Sequence, residues 1–152
     1  MVKKILLLII SISFFLSCGD NVDCSMVSCA AGDIIRLEFV SNEENVINNG
    51  TYTEENITVT GDITEDLDVQ VFSETQGATE GLLEINNFDW RPGEYAYTIR
   101  LGNDWEIDLE VTFSLSGNDP CCGNRLIITD LSAGAFQLEQ TTFSSFYTII
   151  LE

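Results

Sequence analysis

The amino-acid sequence predicts an all-β domain, built as a two-layer antiparallel β-sandwich. Three observations predict it. Trp105 to Leu115 alternates apolar and polar residues without a break, a period that suits a half-buried strand and no amphipathic helix. Beyond the first residues of the chain, no stretch repeats its apolar positions at helical spacing. Eight or so short alternating runs recur between turn signals, as sandwiches require.

The runs follow in order. Ile35, Leu37 and Phe39 alternate with Arg36 and Glu38. Ser41 to Gly50 is polar and ends in Asn-Asn-Gly, which predicts a loop. Ile57 and Val59 alternate with Asn56, Thr58 and Thr60, and Leu67, Val69 and Val71 alternate with Asp68 and Gln70. Leu83 and Ile85 flank Glu84. Arg91-Pro92-Gly93 has the residue order of a type II turn. It leads into Tyr95, Tyr97, Ile99 and Leu101, which Gly102-Asn103-Asp104 joins to the long Trp105 run as a hairpin. Gly117 to Gly123 is a loop, and Arg125–Leu131, Ala135–Glu139 and Phe146–Leu151 are the last expected strands. A closed barrel is the alternative closure for such a set.

The chain has 152 residues, with 6 Lys+Arg against 25 Asp+Glu. Lys3 and Lys4 stand before the apolar run Ile5 to Leu16, which small Ser17 closes. A charged start, a short apolar middle and a small-residue end predict an export signal over residues 1–17. The run is shorter than the roughly 20 residues a spanning helix needs. Without that signal the cations are Arg36, Arg91, Arg100 and Arg125 alone. So acidic a surface repels nucleic acid and anionic lipid, and serves solubility outside the cell. The apolar fraction of 45% and the strand patterning speak for a packed core rather than disorder.

Leu16-Ser17-Cys18 resembles the lipobox of bacterial lipoproteins, with Phe15 where leucine is usual. The resemblance implies a diacylglyceryl group on the Cys18 thiol, cleavage before Cys18 and acylation of the new amine. Palmitate-type chains would then hold the protein, since each buried methylene is worth about 0.8 kcal/mol. Residues 18–32 would form a lipidated tether and residues 33–152 the sandwich. With its Cys121-Cys122 loop and its acidic, strand-rich body ending in Tyr147 to Glu152, the chain resembles small lipoproteins of Bacteroidetes-type bacteria. Its last strands resemble an immunoglobulin-like domain, though without the Cys…Trp…Cys spacing of antibody domains. These resemblances imply an outer-membrane anchor, on the periplasmic face or the cell surface. They bring no activity with them.

Assigning Cys18 to lipid leaves Cys24, Cys29, Cys121 and Cys122. Four thiols in an exported chain predict two disulfides. Adjacent cysteines seldom bond to each other, so Cys121 and Cys122 are each expected to reach back to Cys24 or Cys29. A local Cys24–Cys29 bridge is the alternative. A four-cysteine zinc site fits the spacings poorly.

No histidine is present, which removes serine and cysteine triads and histidine metal sites. With so many acids, a carboxylate pair for glycan hydrolysis carries little specificity. Asp62, Glu65, Asp66 and Asp68 crowd one loop, which makes a calcium-stabilised, adhesin-like domain one alternative function. The turn that follows Trp90 makes it the candidate ligand contact beside Arg91 if it is exposed, the alternative being a lid on the core. The expectation is a non-enzymatic binding or scaffolding module of the envelope, without catalytic residues, cofactor or metal. Its partners would be the membrane and an envelope protein or glycan. A carbohydrate-binding or carbohydrate-degrading accessory lipoprotein is the other alternative.

Overall fold

The computed structural model describes residues 23–26, 34–63, 65–73, 81–117, 120–140 and 146–152. The expected signal and Cys18 lie outside these residues, as does Cys29. The described chain contains ten strands: β1 (Ile35–Ser41), β2 (Glu44–Asn45), β3 (Ile57–Gly61), β4 (Leu67–Phe72), β5 (Leu82–Asn87), β6 (Gly93–Leu101), β7 (Trp105–Leu115), β8 (Leu126–Ser132), β9 (Gln137–Gln140) and β10 (Phe146–Ile150). There is no helix among the described residues.

The strands form two sheets packed as a sandwich. The first sheet runs β4-β5-β1-β10-β9, with β2 paired to the end of β1. The second runs β3-β6-β7-β8. All pairings are antiparallel except β1 with β10, which lie parallel from Arg36↔Phe146 to Val40↔Ile150. The chain changes sheet repeatedly, so its first and last long strands become neighbours in the middle of one sheet.

Period-two patterning explains the two layers. Ile35, Leu37 and Phe39 of β1 are fully buried, as are Leu83 and Ile85 of β5 and Ile149 of β10. Facing them from the second sheet are Tyr97, Ile99 and Leu101 of β6 and Ile107, Leu109, Val111 and Phe113 of β7. Each such side chain contributes about 1.5–3 kcal/mol by leaving water. The longest run behaves as its alternation predicts: Glu106, Asp108 and Glu110 stay exposed between buried neighbours. A bulge interrupts β7–β8, where Thr112 pairs with Asp130 and Phe113 with Ile128, leaving Thr129 over. Its hydroxyl donates to the Thr112 carbonyl at 3.2 Å, so the extra residue stays fixed.

The β6–β7 hairpin turns through Gly102-Asn103-Asp104 as expected, with Leu101 opposite Trp105. Gly102 has φ +58°, and a Cβ there would lie 3.3 Å from the Tyr52 ring, so both backbone and space favour glycine.

Three local expectations are corrected. Ser41 to Gly50 is not simply a polar loop: it contains β2, and Val46 and Ile47 are buried in the core. Two apolar residues inside a polar run show no period, so alternation could not reveal them. Asn45 builds this segment, its side-chain oxygen accepting from the Ile47 and Asn48 amides at 3.0 Å each and its nitrogen donating to Glu38 and to the Gly81 carbonyl. The turn expected at Arg91-Pro92-Gly93 lies earlier, where the Trp90 amide donates to the Asn87 carbonyl, and Gly93 already begins β6. The strand expected from Ala135 starts at Gln137, because the Phe136 amide closes a turn onto the Ala133 carbonyl.

Candidate functional site

The end of the sandwich where β5 stops and β6 begins holds most of the residues singled out from the sequence. The end of β3, the start of β4, the end of β7 and the start of β8 meet there too, as the strand registers require.

Cys24 is bonded to Cys121 at this end, with Cα atoms 5.2 Å apart and a sequence separation of 97. Closing so long a loop is worth up to about 4.7 kcal/mol in the chain-entropy account. This is one of the pairings expected from the spacing, and it roots the segment before the sandwich on the β7–β8 loop. Cys122 is also disulfide-bonded.

Of the two readings of Trp90, the lid on the core holds and the exposed ligand contact does not. Trp90 is only 3% exposed. Its indole N–H donates to the Tyr97 hydroxyl at 2.6 Å, and its ring lies 4.6 Å from that of Phe113. An indole pays no penalty in a core when its one donor finds an acceptor, and Tyr97 supplies it. Burial, with the nearby charge of Asp62 and the Tyr95 phenol adding to it, pushes the Tyr97 phenol above its ordinary value of 10.0; the indole hydrogen bond works against this. Arg91 points the other way. Its guanidinium donates to the Phe88 and Trp90 carbonyls at 3.3 and 2.8 Å and stays largely exposed. The two residues therefore do not form one contact surface. Phe88, which no sequence signal singled out, is the exposed aromatic of this turn.

The acidic loop from Asp62 to Asp68 is organised by an amide. Asn87, the only buried polar side chain among the described residues, donates to the carbonyls of Ile63 and Glu65 at 3.0 and 3.1 Å. Its own side-chain oxygen accepts from the Asp89 amide. Those carbonyls are the kind of ligand a calcium ion uses, and here an amide holds them. The Asp62 carboxylate accepts from the Ala96 amide and Asp68 accepts from Gln70. Among the described residues, no three or more Cys, Asp or Glu side chains are grouped so that they could hold a metal ion.

Two depressions among the described residues bear on a site. A groove of about 430 Å³ on the outside of the second sheet is bordered by Asp62, Glu94, Glu110 and Asp130. Glu94 and Asp130 stand on either side of Thr112 in register. All four acids are exposed, so this is a charged open face rather than a cleft that excludes water. A cleft of about 520 Å³ lies at the opposite end, beneath the loop from Ile47 to Glu55. Ile47, Tyr52 and Val71 form its apolar floor, and Asn48, Glu54 and Glu55 line its polar rim. Tyr52 is fixed by donating to the Asp104 carboxylate at 2.9 Å. Burial first, then that carboxylate, raises its phenol above 10.0. The volume falls in the range of small-ligand sites, and the mixture of apolar floor and polar rim suits recognition. Buried Ile47 was the missing signal, because it lies in the run taken for a polar loop.

No protein-family model, curated protein or solved structure matches this chain.

Proposed function

We propose that the protein is an exported lipoprotein, anchored through acyl chains on Cys18, whose β-sandwich is a non-enzymatic binding or scaffolding module of the cell envelope. The observation that carries this reading is the Cys24–Cys121 bridge. Structural disulfides persist in oxidising, exported compartments, which agrees with the export signal before Cys18. The bridge also leaves only Gly19 to Asp23 between the acylated residue and the body, a reach of about 17 Å. The sandwich thus stays beside the bilayer of the outer membrane rather than on a stalk. The cleft under the Ile47–Glu55 loop, at the far end from the bridge, is the surface on which a protein or glycan partner would be met.

Intact mass tests the anchor and the crosslinks together. The mature chain is expected to begin at Cys18, to carry acyl chains, and to gain mass on reduction as disulfides open. Cys18→Ser is expected to block processing and to release the protein from the membrane fraction. Normal processing and membrane fractionation of Cys18→Ser would overturn the reading.

A further inference from the structure

The bridged end of the sandwich has a second property. The large apolar side chains left exposed among the described residues are Met26, Ile63, Phe88 and Leu115, and all four lie there. Met26 follows the bridged Cys24 by two residues. Ile63 lies in the β3–β4 loop, Phe88 in the turn after β5, and Leu115 ends β7. The opposite end has its own exposed loops, at Asn42-Glu43, Thr53 to Asn56 and Gly102 to Asp104, and carries none among the described residues. Ile63 is also held at φ +49°, a conformation β-branched residues avoid, and Asn87 fixes the carbonyl behind it. Phe88 is 81% exposed at the tip of its turn. Single exposed apolar residues need no explanation, but four gathered at one end of an acidic domain do.

We propose that this end rests on a zwitterionic phospholipid surface, with Phe88, Ile63, Leu115 and Met26 entering the headgroup region. The proposal rests on the lipid-anchor reading, because the short tether rooted by the Cys24–Cys121 bridge brings this end to the bilayer. Amphipathic surfaces bind lipid by burying apolar side chains at the headgroup boundary. Arg91, exposed beside Phe88, already donates to the Phe88 and Trp90 carbonyls and lies 4.0 Å from the Asp89 carboxylate, so the apolar side chains carry the contact. Asp62, Glu65, Asp66 and Asp89 at the same end oppose an anionic surface, which selects the zwitterionic one. The cleft under the Ile47–Glu55 loop then faces away from the bilayer.

The test uses the full lipidated protein in phosphatidylcholine vesicles whose acyl chains are brominated near the headgroup. Phe88→Trp and, as a second probe of the same end, Leu115→Trp are compared with Glu54→Trp at the opposite end. The wild-type emission of Trp90 and Trp105 is subtracted. Brominated lipid is expected to quench the added emission at 88 and 115 at least about twofold while leaving that at 54 unchanged. Vesicles that float with the protein but quench none of the three, or quench all three alike, would overturn the proposal while leaving the anchor standing. Failure of the wild type to float would remove the anchor, and this proposal with it.

Discussion

Two Arg–Glu pairs of almost equal length occupy the outer faces of the two sheets. Arg36 and Glu84 are register partners on β1 and β5, 2.6 Å apart. Arg100 and Glu106 are register partners on β6 and β7, 2.7 Å apart. Their surroundings differ. The first pair is only 21% and 25% exposed, and the Arg36 guanidinium lies 5.9 Å from the centre of the Phe146 ring. Beside it, Glu38 accepts from Asn45 and Thr148, so the outer face of the first sheet carries a hydrogen-bonded polar layer. The second pair is 55% and 58% exposed, at one end of the solvated acids Glu106, Asp108 and Glu110. Equal geometry therefore does not mean equal worth: removing one partner of a half-buried pair strands a charge, whereas an exposed pair is replaced by water.

One expected effect is shared by the two sheets, and it serves as the control. Tyr97 on the second sheet and Tyr147 on the first both have phenols raised by burial, as does Tyr52 at the cleft. The folded state holds these phenols protonated while the unfolded chain ionises them near 10.0. Their contribution is intact below that pH and is lost as pH climbs through the raised folded values. Urea midpoints measured upward from neutral pH are expected to hold and then fall beyond 10, with a single transition for both sheets. Two separate transitions would break the picture of one core.

The faces should part company next. Arg36→Ala is expected to cost about 2 kcal/mol in urea unfolding, since Glu84 loses a charge-assisted partner in a half-dry setting. Replacing both members, Arg36→Met with Glu84→Leu, should recover most of that loss. Glu38→Ala comes below it, at about 1 kcal/mol, because Asn45 and Thr148 each lose an acceptor. Arg100→Ala should cost less than about 0.5 kcal/mol, and near 1 M salt even that should vanish, since the Debye length falls to about 3 Å. Equal costs for Arg36→Ala and Arg100→Ala would show that burial does not separate the faces.

Much of the sandwich was legible because strands declare themselves by period two. Trp105 to Phe113 and Tyr95 to Leu101 lie where their alternation put them, whereas Leu115 runs past the end of the core and is exposed. Residues whose role depends on distant partners were not legible. Trp90 looked like a surface residue because Pro92 and Gly93 follow it, and nothing local shows that Tyr97 accepts from its indole. Val46 and Ile47 were hidden in a polar run, and with them the floor of the cleft. Asn45 and Asn87 read as ordinary turn residues, yet each ties together segments far apart in sequence. The Cys24–Cys121 bridge was one of several open pairings, and only the fold selects among them.

The parallel seam between β1 and β10 has a consequence for how the molecule comes into being. Val40 accepts from Leu151 just past the seam, so the tail of the chain closes against one of its earliest strands. A polypeptide emerging from its amino end must hold Ile35–Ser41 with one flank bare until Phe146–Ile150 arrives. Pairing of this seam therefore waits for Phe146–Ile150, more than a hundred residues after β1, and is slow by topology. A chain cut short of Phe146 would present an apolar ribbon to its neighbours, and should clump rather than fold.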